Sequence, residues 1–408
     1  MLYLMSTQLD QPVVDQRLGK RFVFSLALAV FGTSMLDVLS SLFLADLSKT
    51  FLGNSSLATI AIVSQIVTIS SLAAVVFGLL SGFLSVRINH KTLLLLGCLC
   101  IVVGSVGCFL APSLLYMQIF YPFDGVGTIV VSAMALALIG ESLPLEQRAR
   151  SIGIVAGAGI FSSAAGFAVA GYIGAVGGWR SYLLWYVLPI SLVAVVLAYF
   201  SMPSMRSKQV IVEKARFLES LKDLLSNRSA AACLFGYTLM GIAAIWTFFA
   251  ATFWGRQHSI SVQNIGVIMS VIIVIHAAGS VVGGRIVDSF GRKPTVVASW
   301  IARGLLVAAI AIMPDFWSAF FVSCLFMFVG GVSVASGHSL NLEQVRKYRA
   351  MMMSLSVVFA YAGASIGVAL GGLLLGGFGF LGIGLTFGFL NVVAALAVLV
   401  FAKDPSRL

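Results

Sequence analysis

Charge is scarce in this sequence. Only 10% of its 408 residues are Asp, Glu, Lys or Arg, and acids number 14. A soluble domain carries about 25% charged residues, so most of this surface cannot face water. The five cysteines (Cys98, Cys100, Cys108, Cys233, Cys324) lie inside apolar runs. They have neither zinc-site spacing nor a readable disulfide framework, and are expected to be small packing residues. The four histidines (His90, His258, His276, His338) are scattered. That disfavours an intramembrane enzyme, which would need two of them at ligand spacing beside a carboxylate. No glycine-rich loop runs into Lys and Ser or Thr, so ATP is not the energy source. The net charge of +11 is not clustered on a soluble face, which argues against nucleic acid. No cofactor or metal is called for.

What is abundant is apolar length: 60% of residues are hydrophobic. About 20 apolar residues cross a bilayer as a helix. Twelve candidate runs fall near 22–47, 57–84, 92–111, 115–143, 151–175, 181–202, 229–255, 264–287, 294–313, 317–341, 350–376 and 380–402. The first 21 residues are polar and mixed in charge, and the first run is long enough to stay inserted, so no cleaved leader is expected. With the N-terminus inside, 21 of the 25 Lys and Arg fall in cytoplasmic segments. Only Lys49, Arg180 and Arg256 lie outside, and Arg303 lies within a run. This asymmetry predicts an integral, multi-pass protein of the cell (inner) membrane with both termini cytoplasmic.

The longest polar stretch, 203–228, divides the chain into bundles at 1–202 and 229–408. Within it Phe217, Leu218, Leu221, Leu224 and Leu225 recur at helical spacing. They read as a surface amphipathic helix or as a solvated linker with a helical turn. The halves repeat. Gly82 to Lys91 follows the second run, and Gly284 to Lys293 follows the eighth, 202 positions later. Glu146-Gln147 recurs as Glu343-Gln344, and the fifth and eleventh runs are both glycine-rich. Parallel halves place a substrate site at their interface near the midplane.

At these residues the chain resembles the major facilitator superfamily along nearly its whole length, closest to its drug and metabolite:proton antiporters. Gly284, Asp288, Gly291, Arg292 and Lys293 match the family's loop signature. The resemblance implies twelve helices in two parallel pseudo-symmetric six-helix bundles, working as a monomer. It also implies a cytoplasmic gate in which Gly284 permits close helix packing while Asp288 and the basic residues hold the halves together in the outward-facing state. The first copy is degraded: Gly82, Arg87 and Lys91 remain, but Val86 replaces the acid, Asn89 the second glycine and His90 a basic residue. Two departures concern the antiporters: Tyr121 stands at an expected arginine and Asp124 at a glutamine, and Ile160 to Gly166 lacks a proline. Gly178-Trp179-Arg180 fits.

Ionisable residues inside a membrane are functional candidates by default. Asp37 lies roughly 22 Å from the inner face and Asp124 roughly 14 Å from the outer one, at ~1.5 Å per residue. The resemblance implies that the helices bearing them line the cavity, where either could bind a proton or a cationic group. The alternative is a structural acid bonded to Ser34 or Tyr121. His276 could shuttle protons or be hydrogen-bonded structure. Trp246, Tyr237 and Phe248 could form an aromatic wall or simply pack. Arg303, on a helix the resemblance makes peripheral, is expected to snorkel or pack against a carbonyl.

The sequence therefore points to a secondary transporter of a small organic molecule, working by alternating access with proton-coupled export. Two alternatives stay open: a metabolite uptake symporter or uniporter, and a receptor without flux.

Overall fold

The computed structural model describes residues 16–85, 87–143, 145–201, 222–345 and 349–404. Most of the predicted linker helix lies outside them. Apolar runs fold as helices because hydrocarbon offers backbone groups no partner. The elements are α1 (Gln16–Thr33), α2 (Met35–Leu42), α3 (Leu44–Leu52), α4 (Leu57–Leu84), α5 (His90–Leu110), α6 (Leu114–Phe120), α7 (Pro122–Ser142) and α8 (Leu145–Tyr182). A π-helical turn (Leu183–Val187) leads into α9 (Leu188–Ser201). There follow α10 (Arg228–Ala244), α11 (Trp246–Gln257), α12 (Val262–Phe290), α13 (Arg292–Ile312), α14 (Phe316–Gln344) and α15 (Arg349–Phe401). Side-chain caps start several of them: Ser56, Ser113, Asn227, Ser261 and Asp315 each accept a backbone N–H of the first turn.

Among the described residues, ten stretches are long and apolar enough to cross a membrane. Two of them, Arg150–Ser201 and Met351–Phe401, contain 52 and 51 residues. A straight helix of that length would run about 78 Å, against a hydrocarbon core of about 30 Å. Each is interrupted at a glycine with positive φ, Gly178 (71°) and Gly379 (64°). These two breaks lie 201 positions apart.

The helices pack in two groups. In the first, α5 and α4 pack on α7, and α1 on α8; in the second, α10 packs on α15, α12 on α14, and α13 on both α14 and α15. The seams between groups are α4 with α15, α8 with α12 and α2 with α11. Four hydrogen bonds cross these seams among the described residues. Ser41 Oγ donates to Phe248 O (2.9 Å), Ser270 Oγ to Ala164 O (2.6 Å) and Ser365 Oγ to Thr68 O (3.2 Å), and Arg256 donates to Ser55 O. All four lie in the half of the bundle nearer Gly53. Toward Gly291, three hydrogen bonds tie elements of the second group to one another. Lys293 Nζ donates to Ala402 O (2.7 Å), Gln344 Nε2 to Lys403 O (3.2 Å) and Lys403 N to Ser229 Oγ (2.7 Å). The seams are thus closed at the Gly53 end.

The loop signature joins α12 to α13. A Cβ added at Gly284 would meet nothing within 4 Å, so that glycine permits no close packing in this conformation. Gly291 is required instead by its backbone, at φ 89° between α12 and α13. Asp288 is exposed and makes no ion pair among the described residues. The pair formed here is Arg292 with Glu343, at 4.0 Å. Of the first copy, Arg87 is exposed, Lys91 Nζ lies 5.4 Å from the Tyr199 ring centroid, and Gly82 lies in α4.

Candidate functional site: a two-carboxylate pocket between the bundles

The first helix breaks near its middle, at Ser34, and α2 restarts with Asp37 in its first turn. The fourth run breaks at Tyr121-Pro122, where proline suits the opening position of a helix, and α7 restarts with Asp124 in its first turn. Both carboxylates therefore sit at helix N-termini inside the membrane, where the helix dipole favours negative charge. α7 presses closely on its neighbours here. A Cβ at Gly125 would lie 2.5 Å from Ser70 O, and one at Gly104 would lie 3.2 Å from Asp124 N.

Asp37 and Asp124 line one small pocket with Val67, Ser70, Ser71, Ala74, Gly125, Thr128 and Tyr361. Asp37 is exposed to this cleft, whereas Asp124 is buried at 1% exposure. The two are close enough to interact electrostatically. Asp124 Oδ1 is buried and accepts no hydrogen bond from the protein. Among the described residues no Lys, Arg or His lines the pocket. Chemically, it can take a proton, an organic cation, or each in turn.

The other sequence-predicted residues are placed elsewhere. Tyr121 is fully buried and braces the first helix, its hydroxyl 3.1 Å from Leu36 O and 2.9 Å from Ser40 Oγ. The expected aromatic wall is split: Tyr237 and Trp246 are nine residues apart, on opposite faces of a helix, and the helix is also interrupted at Ile245 between α10 and α11. Tyr237 packs edge-on against Trp300 at 6.1 Å, with its hydroxyl 3.5 Å from His338 Nδ1. Trp246 instead lines a separate apolar pocket with Phe253, Trp254 and Phe326. Phe248 is partly buried, and its carbonyl accepts the Ser41 hydroxyl. His276 lines neither pocket. Arg303 neither snorkels nor bonds a carbonyl: it is 6% exposed, with its guanidinium 5.0 Å from the Phe326 ring centroid.

Tyr361 escaped the sequence reading. It is the one residue of the pocket that comes from the second group of helices, so only tertiary packing places it there. No group of three or more His, Cys, Asp or Glu suited to a metal occurs among the described residues.

The sequence model of the Major Facilitator Superfamily matches residues 22–253 and 232–408. The uncharacterized MFS-type transporter YceJ of Bacillus subtilis (strain 168) is 24% identical over 314 residues, covering 74% of this chain and 77% of that protein. YybF, an uncharacterized MFS-type transporter of the same organism, is 23% identical over 335 residues, 78% of each chain. Among solved structures, a D-xylose-proton symporter superposes with a TM-score of 0.80 at 15% identity, covering 95% of this chain and 99% of its own. A bacterial homolog of the human lysosomal transporter Spinster, inward-facing and unoccupied, gives 0.76 at 15% identity, over 95% and 96%. The nucleoside transporter NupG gives 0.75 at 16% identity, over 94% and 100%. At such identities the structural likeness speaks for the fold alone.

Proposed function

Because this chain belongs to the major facilitator superfamily, we propose that it exports a small organic cation from the cytoplasm in exchange for protons, by alternating access. On this reading the two interrupted stretches each cross twice, giving twelve spans in bundles 1–202 and 229–408 joined by 203–228. The protein works as a monomer in the inner membrane with both termini cytoplasmic, as the basic residues argue. The Gly53 end is then the outer end, and the closed outer seams belong to an inward-open state.

One observation carries the proposal: two carboxylates share a pocket between the bundles that no Lys, Arg or His lines among the described residues. A charge there is costly, so the carboxylates must be neutralised before the seams exchange. A proton and an organic cation are competing ways to do so. In the inward-open state the cation displaces the proton at Asp37 or Asp124; in the outward-open state a proton displaces the cation. Ser70, Ser71, Thr128 and Tyr361 supply hydroxyls for orientation. The uptake alternative is kept by the absence of the antiporters' proline between Ile160 and Gly166.

The test is lumenal pH in sealed proteoliposomes while cationic, neutral and anionic organics are offered, comparing wild type with Asp37→Asn and Asp124→Asn. Antiport predicts that a cation moving one way drives protons the other, and that either substitution abolishes the pH change while sparing binding at one carboxylate. Proton and substrate moving together would establish symport. Equilibration with no pH change, unaffected by either substitution, would make the carboxylates structural.

A further inference from the structure

Apart from Val67, Ala74 and Gly125, every residue lining the two-carboxylate pocket carries a side-chain oxygen. Ser70 and Ser71 come from α4, and Asp124 and Thr128 stand one turn apart on α7. The Thr128 hydroxyl donates its hydrogen to Thr33 O (3.0 Å), beside the break that precedes α2. Its oxygen therefore has only lone pairs left to offer. α4 lies so close to α7 that a Cβ at Gly125 would collide with both Ser70 Oγ and Ser70 O.

One oxygen here points to a ligand. Asp124 is 1% exposed, and its Oδ1 is buried with no hydrogen bond from the protein. The N-terminus of α7 favours the ionised form of this carboxylate, and an ionised group buried in this way is costly unless a partner meets it. The cavity sets the size of that partner. It measures about 30 Å³, against about 10–15 Å³ for one water. That is space for a water or two, or for one bare metal ion, and not for an organic ring. Asp37 is exposed and can meet a larger cation from the cleft; Asp124 cannot in this conformation.

The donor set narrows the choice of ion. Oxygen ligands alone suit hard cations. Calcium and magnesium sites gain their affinity from carboxylate charge and fixed coordination, and here two acids are joined only by hydroxyls. We propose that the pocket binds a dehydrated sodium ion on Asp124, its shell completed by the hydroxyl oxygens of Ser70, Ser71 and Thr128. Sodium on Asp124 with a proton on Asp37 neutralises both carboxylates. Sodium thus joins the proton and the organic cation as a third competitor. The inference rests on the reading of this pocket as the transport site and adds an inorganic ion to it.

The test is equilibrium binding of radiolabelled sodium to the full-length protein in nanodiscs of zwitterionic lipid, with no organic substrate present. Unlabelled NaCl, KCl and MgCl2 are the competitors. Binding should saturate, and NaCl should displace the label at least about tenfold more effectively than KCl or MgCl2. Asp124→Asn should raise the sodium Kd by about tenfold or more, and Ser70→Ala by a smaller factor, an order of magnitude being about 1.4 kcal/mol. Asp46→Asn, which removes an acid of α3, should change nothing. Absence of saturable binding in the wild type would overturn the proposal and leave water as the partner of Asp124. Equal displacement by NaCl and KCl, stronger displacement by MgCl2, or wild-type affinity in a folded Asp124→Asn protein would overturn it as well. The antiport reading fails separately, in the lumenal pH assay: sodium binding without any cation-driven pH change would sink antiport and keep the sodium site.

Discussion

Substituting Gly266 by alanine should shift the protein out of the conformation described here. A Cβ at Gly266 would lie 2.4 Å from the Phe167 carbonyl oxygen and 2.9 Å from the Gly171 Cα, both backbone atoms that no rotamer can move. To restore ordinary contact, α8 and α12 must part by about 1 Å at the Gly53 end. Overpacking of this kind costs about 1–3 kcal/mol. The Ser270 hydrogen bond to Ala164, 2.6 Å long and one turn away, would weaken too; such bonds in membranes average about 0.6 kcal/mol. A penalty of about 2 kcal/mol on this state alone raises the population of a state with the seam parted by about 30-fold. The measurement is pulsed electron-spin distances between labels at Val176 and Val267, with the five native cysteines replaced. Gly284→Ala is the control, since a Cβ there meets nothing. A Gly266→Ala distance distribution that superposes on wild type, or an equal shift in the control, would refute the reasoning.

Tyr121→Phe removes the bonds to Leu36 O and Ser40 Oγ; it should cost about 1 kcal/mol of thermal stability in detergent and leave cation binding intact. Arg180 donates to Ala111 O (2.8 Å) and Phe109 O (3.3 Å) and stacks on Trp179 at 4.2 Å. Arg180→Lys keeps the charge but loses the planar fork, so unfolding should become easier by about 1–2 kcal/mol. The Ser318 hydroxyl and backbone hold the Asp315 carboxyl below its ordinary range. Its capping contribution is therefore full above the unfolded carboxylate pKa and lost as pH falls through the lower folded value. Hydrogen exchange at the first turn of α14 should quicken only under strongly acidic conditions, and Asp315→Ala should show that fast exchange at neutral pH.

Much of this was legible in the sequence. Apolar runs gave the helices, but the fourth was read as one run, 115–143, although Pro122 opens a new helix with Asp124 in its first turn. Counting residues from opposite faces put Asp37 and Asp124 in the middle-to-outer zone, and they do share a pocket. The break at Ser34 carries no proline, and the interruption at Ile245 neither proline nor glycine, so neither could be read. Tyr361 needed the second group of helices to be docked. Arg303 was misjudged because snorkelling assumes a path to water along the helix surface, whereas Phe326 and His276 enclose it from neighbouring helices.

The closed seams have a consequence for wetting. Ser41, Ser64, Gln65, Thr68, Ser270 and Ser365 line them among glycines, and the Ser270 hydroxyl already shares itself with Gly266 O of its own helix at 2.8 Å. When such a seam parts, its hydroxyls fall back on their own carbonyls or take up water. An interface of leucines alone would resist water at about 25 cal/mol for every Å² uncovered. The serine, threonine and glutamine groups here give entering water hydrogen-bond partners, so the solvent that floods in meets less resistance than it would at such an interface.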